Sequence, residues 1–109
     1  MKVVDKPWGR EIWFAVEDEY VGKIIEVKKG ERLSLQFHEE KKETMYLLEG
    51  RMALTFGDEE LELAEGESIT IKPGVKHRIN ALSDVKVVEV STPQVEDVIR
   101  LEDDYGRTG

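Results

Sequence analysis

Cysteine is absent from the 109 residues of this sequence. Its absence excludes a disulfide-bonded scaffold, a zinc site built on thiolates and a cysteine nucleophile. Long apolar runs are lacking as well, since no segment approaches the ~20 residues that a membrane-spanning helix needs. Residues 1–10 contain no apolar stretch of the kind that serves as a signal peptide, and we therefore expect a cytoplasmic protein.

Positive charge is scarce relative to negative charge. The chain has 16 Lys and Arg against 24 Asp and Glu, which gives a formal net charge of -8. Nucleic-acid phosphates would repel such a chain, so we expect neither a nucleic-acid nor a membrane partner. A small anionic ligand remains compatible with this net charge, because its binding depends on the basic groups near its site. A chain of 109 residues supports one hydrophobic core, and we expect residues 1–109 to form a single domain.

Short segments rich in strand-forming residues follow one another along the whole chain. They lie at residues 12–16, 20–27, 32–38, 43–48, 52–56, 60–64, 68–72, 77–81 and 85–90, and residues 95–101 could add a last strand or a short helical turn. Segments at this spacing, with turn residues such as Gly57 and Asp58 between them, are typical of sandwiches and barrels. No segment carries a helical apolar stripe. The sequence predicts an all-β fold, an antiparallel jelly-roll barrel.

Residues 32–38 alternate strictly between apolar and polar side chains. One face carries Leu33, Leu35 and Phe37, and the other carries Ser34, Gln36 and His38. If the polar face lines the interior of a barrel, the apolar face needs cover from a second subunit or from an N-terminal strand. We therefore expect a homodimer.

Histidine is rare, and its two occurrences stand in informative patterns. Gly30 is followed after five residues by Gln36-x-His38, then after four by Glu43 and after six by Gly50. A second pattern begins at Gly66 and continues with Pro73-Gly74, His77 and Asn80. Together these resemble the two motifs of the cupins, in which the first ligand is usually His where this chain has Gln36.

Four further stretches sharpen the resemblance. They are residues 6–9 (KPWG), 30–38 (GERLSLQFH), 73–78 (PGVKHR) and 101–107 (LEDDYGR). The stretches are similar to the type II mannose-6-phosphate isomerase cupins, which elsewhere form the C-terminal part of mannose-1-phosphate guanylyltransferases. The resemblance covers nearly the whole chain. It departs from the family after His38, where residues 39–42 replace a His-rich run and Lys41 stands in place of Arg.

The resemblance implies one divalent metal ion held by Gln36, His38, Glu43 and His77. Imidazole, carboxylate and amide oxygen form a mixed nitrogen and oxygen site, which suits Zn, Mn, Fe, Co or Ni. Closed structural zinc sites are usually rich in thiolates, and this chain has none. The donor set therefore favours a site with positions open to a substrate.

The resemblance also implies an activity, the metal-dependent interconversion of an aldose phosphate and a ketose phosphate through an enediolate. A base must then carry a proton between neighbouring carbons, and the candidates are Glu40, Lys41 and Lys76. Lys41 and Arg78 are the candidates for binding the sugar phosphate. Alternation along a strand would turn Arg78 to the face opposite His77, which favours a surface or interface ion pair for it.

Two other functions are compatible with the same residues. The first is a cupin that holds a metal and binds a sugar or sugar phosphate without converting it, which the altered run at residues 39–42 favours. The second is a small cupin dioxygenase, which would require bound Fe(II) and would consume oxygen. Turnover of hexose 6-phosphates separates the isomerase from the binding protein.

Overall fold

A computed structural model describes residues 1–108, and in these residues every regular element is a β-strand. The strands are β1 (Lys2–Lys6), β2 (Gly9–Val16), β3 (Val21–Val27), β4 (Leu35–Phe37), β5 (Glu43–Glu49), β6 (Met52–Phe56), β7 (Glu59–Leu63), β8 (Ser68–Ile71), β9 (His77–Ala81), β10 (Val85–Ser91) and β11 (Ile99–Glu102). The same residues contain no helix that could span a membrane.

The strands form two sheets that pack against each other. One sheet has the order β1-β2-β3-β10-β5-β8 and the other the order β11-β4-β9-β6-β7. All recorded strand pairs are antiparallel. The predicted all-β class and the antiparallel jelly-roll architecture are confirmed.

The chain termini differ in part from the predicted strands. Residues 2–6 form an unpredicted strand, β1, which pairs with β2 at the edge of the larger sheet. The tail begins with a turn at residues 95–96 and becomes a strand only at Ile99. The turn at Gly57-Asp58 forms as predicted, because Gly57 adopts a φ of 61° and Phe56 pairs with Glu59.

Apolar side chains fill one half of the space between the sheets. Leu47, Met52, Leu54, Ile71 and Val87 are fully buried there and come from both sheets. Each such side chain contributes roughly 1.5–3 kcal/mol by leaving water. This half of the interior therefore holds the sheets together.

Toward one end of the barrel, polar residues take the inward-facing positions. On β10, Val85 and Val87 are followed by Glu89, and all three are buried. On β9, His77 precedes the buried Ile79. Because inward positions recur at every second residue, the same strands supply both the apolar core and a polar region.

Residues 32–38 do not form one continuous strand. Only residues 35–37 belong to β4, while Arg32 makes an isolated bridge to Asn80. Leu33 belongs to the hydrophobic core, and Leu35 and Phe37 are half-buried. The expected homodimer remains a prediction.

Candidate metal centre

Three buried side chains converge at the polar end of the barrel. They are His38, which follows β4, Glu43, which opens β5, and His77, which opens β9. Glu43 Oε1 lies 3.0 Å from His77 Nε2 and 3.6 Å from His38 Nε2. Each residue is at most 2% exposed. The antiparallel sheets bring these residues together although 39 positions separate His38 from His77 in the chain.

Both imidazole rings are oriented by backbone carbonyl groups. His38 Nδ1 donates to the carbonyl oxygen of Asp97 at 2.6 Å, and His77 Nδ1 donates to that of Val75 at 2.9 Å. A carbonyl oxygen can only accept, so each Nδ1 carries a proton and Nε2 is the ring nitrogen left to bind a metal. Partners of this kind are those that orient metal-binding histidines.

The atoms facing the centre have no hydrogen-bond partner in the described residues. They are His38 Nε2, His77 Nε2 and both carboxylate oxygens of Glu43, all of them buried. Their close polar contacts are with one another and, for Glu43 Oε2, with the Lys41 ammonium. Buried polar atoms without a partner are costly, and native proteins rarely contain several together. Two imidazole nitrogens and a carboxylate are common ligands of divalent metals. The donor set therefore fits a metal ion.

Glu43 is held in the ionised form that a metal requires. Burial disfavours its charge, but the His38 and His77 rings and the Lys41 ammonium outweigh burial and hold its pKa well below the usual range. The Lys41 Nζ atom lies 3.1 Å from Glu43 Oε2. The carboxylate is thus ready to bind a cation.

Gln36, the fourth predicted ligand, lies beside the group. It is the cross-strand partner of His77 between β4 and β9. Its Oε1 accepts a hydrogen bond from Ser34 Oγ at 2.7 Å. The assignment of Gln36 as a ligand remains a prediction, although its register places it next to the three converging residues.

Asp97 fixes the loop that connects β4 to β5. Its carboxylate accepts hydrogen bonds from the backbone N–H groups of Glu39, Glu40 and Lys41 at 3.0, 2.7 and 2.9 Å. These three bonds hold the pKa of Asp97 below its usual range. Since the Asp97 carbonyl also binds His38, one residue of the tail positions both the ring and the loop. No sequence motif indicated this role.

A second buried carboxylate lies behind Glu43. Glu89 Oε2 is 3.6 Å from Lys41 Nζ, and burial together with the nearby Glu43 charge raises the pKa of Glu89 to about 8. Burial lowers the pKa of Lys41, but Glu89 and Glu43 reverse this and raise it above its ordinary value. The sequence analysis missed Glu89. The sequence did contain one indication of it, because Glu89 continues the alternation of the inward-facing Val85 and Val87 along the same strand.

A cavity of about 100 Å³ opens beside this group between the two sheets. His38, Gln36, Lys41 and Glu89 line it. Its apolar walls come from Trp8, Trp13, Ile25, Leu33, Val95 and Val98. A small polar molecule entering the cavity would therefore meet His38, a buried carboxylate and a buried ammonium group.

Among the remaining predicted site residues, only Lys41 lies at the cavity. Of the three candidate bases, Lys41 lines the cavity, whereas Glu40 and Lys76 are exposed and outside its lining. The structure does not bring Arg78 to the cavity either. Arg78 Nε donates to the Leu33 carbonyl at 2.8 Å, and its guanidinium lies 3.7 Å from the Glu102 carboxylate. Strand alternation turns the Arg78 side chain away from His77, and Arg78 instead anchors the C-terminal tail.

Comparison with known proteins gives a consistent result. A family model described as "Cupin domain" matches residues 23–91. The chain is 36% identical to the xanthan biosynthesis protein XanB of Xanthomonas campestris pv. campestris (strain B100), over 96% of this chain and 24% of that protein. It is 35% identical to the mannose-1-phosphate guanylyltransferase ManC of Salmonella typhimurium, over 95% of this chain and 23% of that protein. The chain thus spans about a quarter of the length of these curated relatives.

Solved structures agree on the architecture. KdgF from Halomonas sp. superposes with a TM-score of 0.81 at 18% identity, over 89% of this chain and 92% of that chain. An RmlC-like cupin from Shewanella frigidimarina superposes with a TM-score of 0.80 at 20% identity, over 88% of this chain and 86% of that chain. At these identities the likeness shows the fold alone.

Proposed function

The chain belongs to the cupin family, and from that premise we propose that it is a metal-dependent sugar-phosphate isomerase of the mannose-6-phosphate type. The observation that carries the proposal is the buried group of His38, Glu43 and His77 beside a polar cavity. The curated relatives add support, because several are named mannose-1-phosphate guanylyltransferases and match along almost the whole chain.

The ion that we propose is one divalent cation, Zn, Mn, Fe, Co or Ni, held by His38, Glu43 and His77 with Gln36 as a fourth ligand. When bound, such an ion would polarise a sugar carbonyl and stabilise the negative charge of an enediolate. The residues themselves orient the site, because Asp97 and Val75 fix the two rings and Lys41 keeps Glu43 ionised.

Isomerisation also needs a group that moves a proton. In the aldose-to-ketose direction, a base removes the carbon-bound proton of C2 and delivers it to C1. The proton of the C2 hydroxyl group passes to the oxygen on C1. Glu89 and Lys41 are the buried candidates, since both line the cavity and lie 3.6 Å apart. Burial raises the pKa of Glu89 far above the ordinary carboxyl value, which brings proton exchange by this group closer to neutral pH. We assign proton transfer to this pair.

A coupled assay for fructose 6-phosphate formed from mannose 6-phosphate tests the proposal. The protein is stripped of metal, reloaded separately with Zn, Mn, Co, Ni or Fe(II), and its metal content is measured. We expect turnover that requires metal and is lost in Glu43→Ala. Glu40→Ala is the matched control, because Glu40 is exposed and outside the cavity lining. It should retain full activity.

The absence of turnover with every metal, in protein shown to hold metal, would contradict the isomerase. Sugar-phosphate binding without turnover would then favour the cupin that binds its ligand without converting it. Oxygen uptake by the Fe(II) form would instead favour a dioxygenase.

A further inference from the structure

A group of cations lies on the cavity wall apart from the converging histidines. Lys6, Lys23, Arg100 and Arg107 all line the cavity, in a chain whose net charge is -8. Two of the four have carboxylate partners. Lys23 lies 3.4 Å from Glu11, and Arg107 Nε donates to the Asp103 carboxylate at 2.9 Å. Positive charge is therefore concentrated in one internal place.

Lys6 and Arg100 are the two of these four cations that form no ion pair. Within residues 1–108, neither has a carboxylate oxygen within 4.0 Å. Arg100 Nε is buried and has no hydrogen-bond partner in the same residues. Burial lowers the pKa of Lys6, Glu11 opposes this, and the charges of Arg100 and Arg107 lower it further. Cations that repel one another beside a cavity would be stabilised by an anion bound between them.

The strand register places this positive group at a defined distance from the histidines. Arg100 on β11 pairs with Gln36 on β4, and Gln36 pairs with His77 on β9. Two strand spacings separate the Arg100 and His77 backbones, which is roughly 10 Å. A hexose 6-phosphate carries its reacting carbons at one end and its phosphate at the other. The two ends of such a molecule therefore correspond to the positive group and to His38, the member of the converging group that lines the cavity.

The residues concerned also lie outside the part of the chain common to cupins in general. The cupin family model covers residues 23–91, which exclude Lys6, Arg100 and Arg107. The match to XanB, in contrast, covers 96% of the chain. Lys6 ends the first strand and Arg100 lies on the last, so the two chain ends meet at the cavity.

We infer that Lys6, Arg100 and Arg107 form a subsite for the phosphate of a sugar phosphate whose sugar end faces His38, Glu43 and His77. This inference rests on the proposed function. These three residues take the phosphate-binding role that the sequence suggested for Arg78, which instead contacts Leu33 and Glu102. Guanidinium groups suit phosphate because their planar N–H donors match two phosphate oxygens at once. Arg107 is pre-positioned by Asp103, which takes its Nε and one Nη2 donor.

Isothermal titration of the full chain, with and without Zn(II), tests the subsite using mannose 6-phosphate, mannose and inorganic phosphate as probes. We expect Arg100→Gln and Lys6→Gln each to raise the Kd for mannose 6-phosphate about 10- to 100-fold, since each removes a charged hydrogen bond. Metal content should not change. Arg51→Gln is the matched control, because Arg51 is exposed and paired with Glu62 at the surface.

Lys6 and Arg100 lie near opposite ends of the chain, so if one variant fails to fold, the other still tests the subsite. Wild-type affinity in both folded variants would overturn the subsite, and so would wild-type protein that binds neither phosphate probe. Turnover of mannose 6-phosphate with an unchanged KM in Arg100→Gln would overturn the subsite alone. Binding that depends on Arg100 in a protein without turnover would support the subsite and overturn the isomerase.

Discussion

The two halves of the barrel interior are built from the same strands but differ in chemistry. At one end, the inward-facing residues of β3, β5, β9 and β10 are aliphatic or Met; at the other end, the inward positions of these strands carry Lys23, Glu43, His77 and Glu89. Both ends are buried. The backbone therefore provides one scaffold, and side-chain choice alone divides it into a core and a site.

The apolar half stabilises the fold, and the polar half carries the groups that could bind a ligand. Burying an aliphatic side chain stabilises the fold, whereas burying charges such as Lys41 and Glu43 costs free energy that their ion pair only partly offsets. The atoms around Glu43 that lack hydrogen-bond partners add to that cost. A bound cation would satisfy these atoms, so the polar half makes physical sense as a ligand site supported by the apolar half.

The largest expected effect is loss of metal from the polar half. Replacing His77 by Ala removes an Nε2 atom that lies 3.0 Å from Glu43 Oε1. We expect the variant to lose stoichiometric metal, measured by elemental analysis after dialysis against a metal buffer. Lys76→Ala, a change at the exposed neighbouring residue, should keep one ion per chain. Full metal occupancy in folded His77→Ala protein would refute the ligand assignment.

A substitution in the apolar half should lower stability and leave metal binding unchanged. Leu54 is fully buried in the core, and Leu54→Ala should lower the free energy of unfolding by about 2–5 kcal/mol through the cavity that it leaves. Metal stoichiometry should stay at the wild-type value. Chemical denaturation measures the loss, and Leu48→Ala, at a residue 45% exposed on β5, should cost far less. Loss of metal in a folded Leu54→Ala protein would show that the two halves are not separable.

Asp97 lies outside the barrel strands but supports the polar half. Asp97→Ala removes the acceptor of three backbone N–H groups in the loop next to His38, while the carbonyl that binds the His38 ring remains. We expect metal affinity to fall about 10-fold, since groups that orient ligands contribute on that scale. Competition with a chelating dye measures it. The exposed neighbour Glu96 gives the control Glu96→Ala, and equal affinities in the two variants would remove Asp97 from this role.

A further expected effect concerns the pH dependence of stability. Glu89 has a folded-state pKa of about 8, above the ordinary carboxyl value of 4.5, so folding takes up a proton between these pH values. The metal-free protein should therefore lose stability as the pH rises from 4.5 to 8. Glu89→Gln should flatten this dependence and be more stable at pH 8, by a few kcal/mol at most.

Denaturation across this pH range measures the effect, with Glu59→Gln at an exposed hairpin position as the control. The same pH slope in Glu89→Gln and in wild-type protein would show that Glu89 does not titrate in the window.

The sequence predicts the centre of the molecule better than its ends. Regular strand spacing predicts the fold class, because local patterning directly controls which face a strand residue occupies. The resemblance of the two motifs to those of the cupins is what makes Gln36, His38, Glu43 and His77 the candidate ligands. Strand alternation likewise predicts that Arg78 turns away from His77. The β1 strand, with the sequence KVVDK, offers too few apolar residues to be recognised without its partner strand.

The contacts that complete the site were not predictable from local pattern. Asp97 lies 59 positions from His38, and Lys6 and Arg100 lie near opposite ends of the chain. Only the folded barrel brings Asp97 to His38 and brings Lys6 and Arg100 to one cavity. Glu89 could have been found, since an acid at an inward-facing position is rare unless it is paired or functional.

The most direct test of the metal centre is a long-range proton–nitrogen NMR spectrum of the imidazole rings during Zn(II) titration. The chain has only two histidines, so the spectrum contains two rings. We predict that both rings carry a proton on Nδ1 before and after metal is added, and that both Nε2 resonances shift together and saturate at one equivalent. A ring that loses its Nδ1 proton when Zn(II) binds, or one that does not respond to Zn(II), would contradict the account.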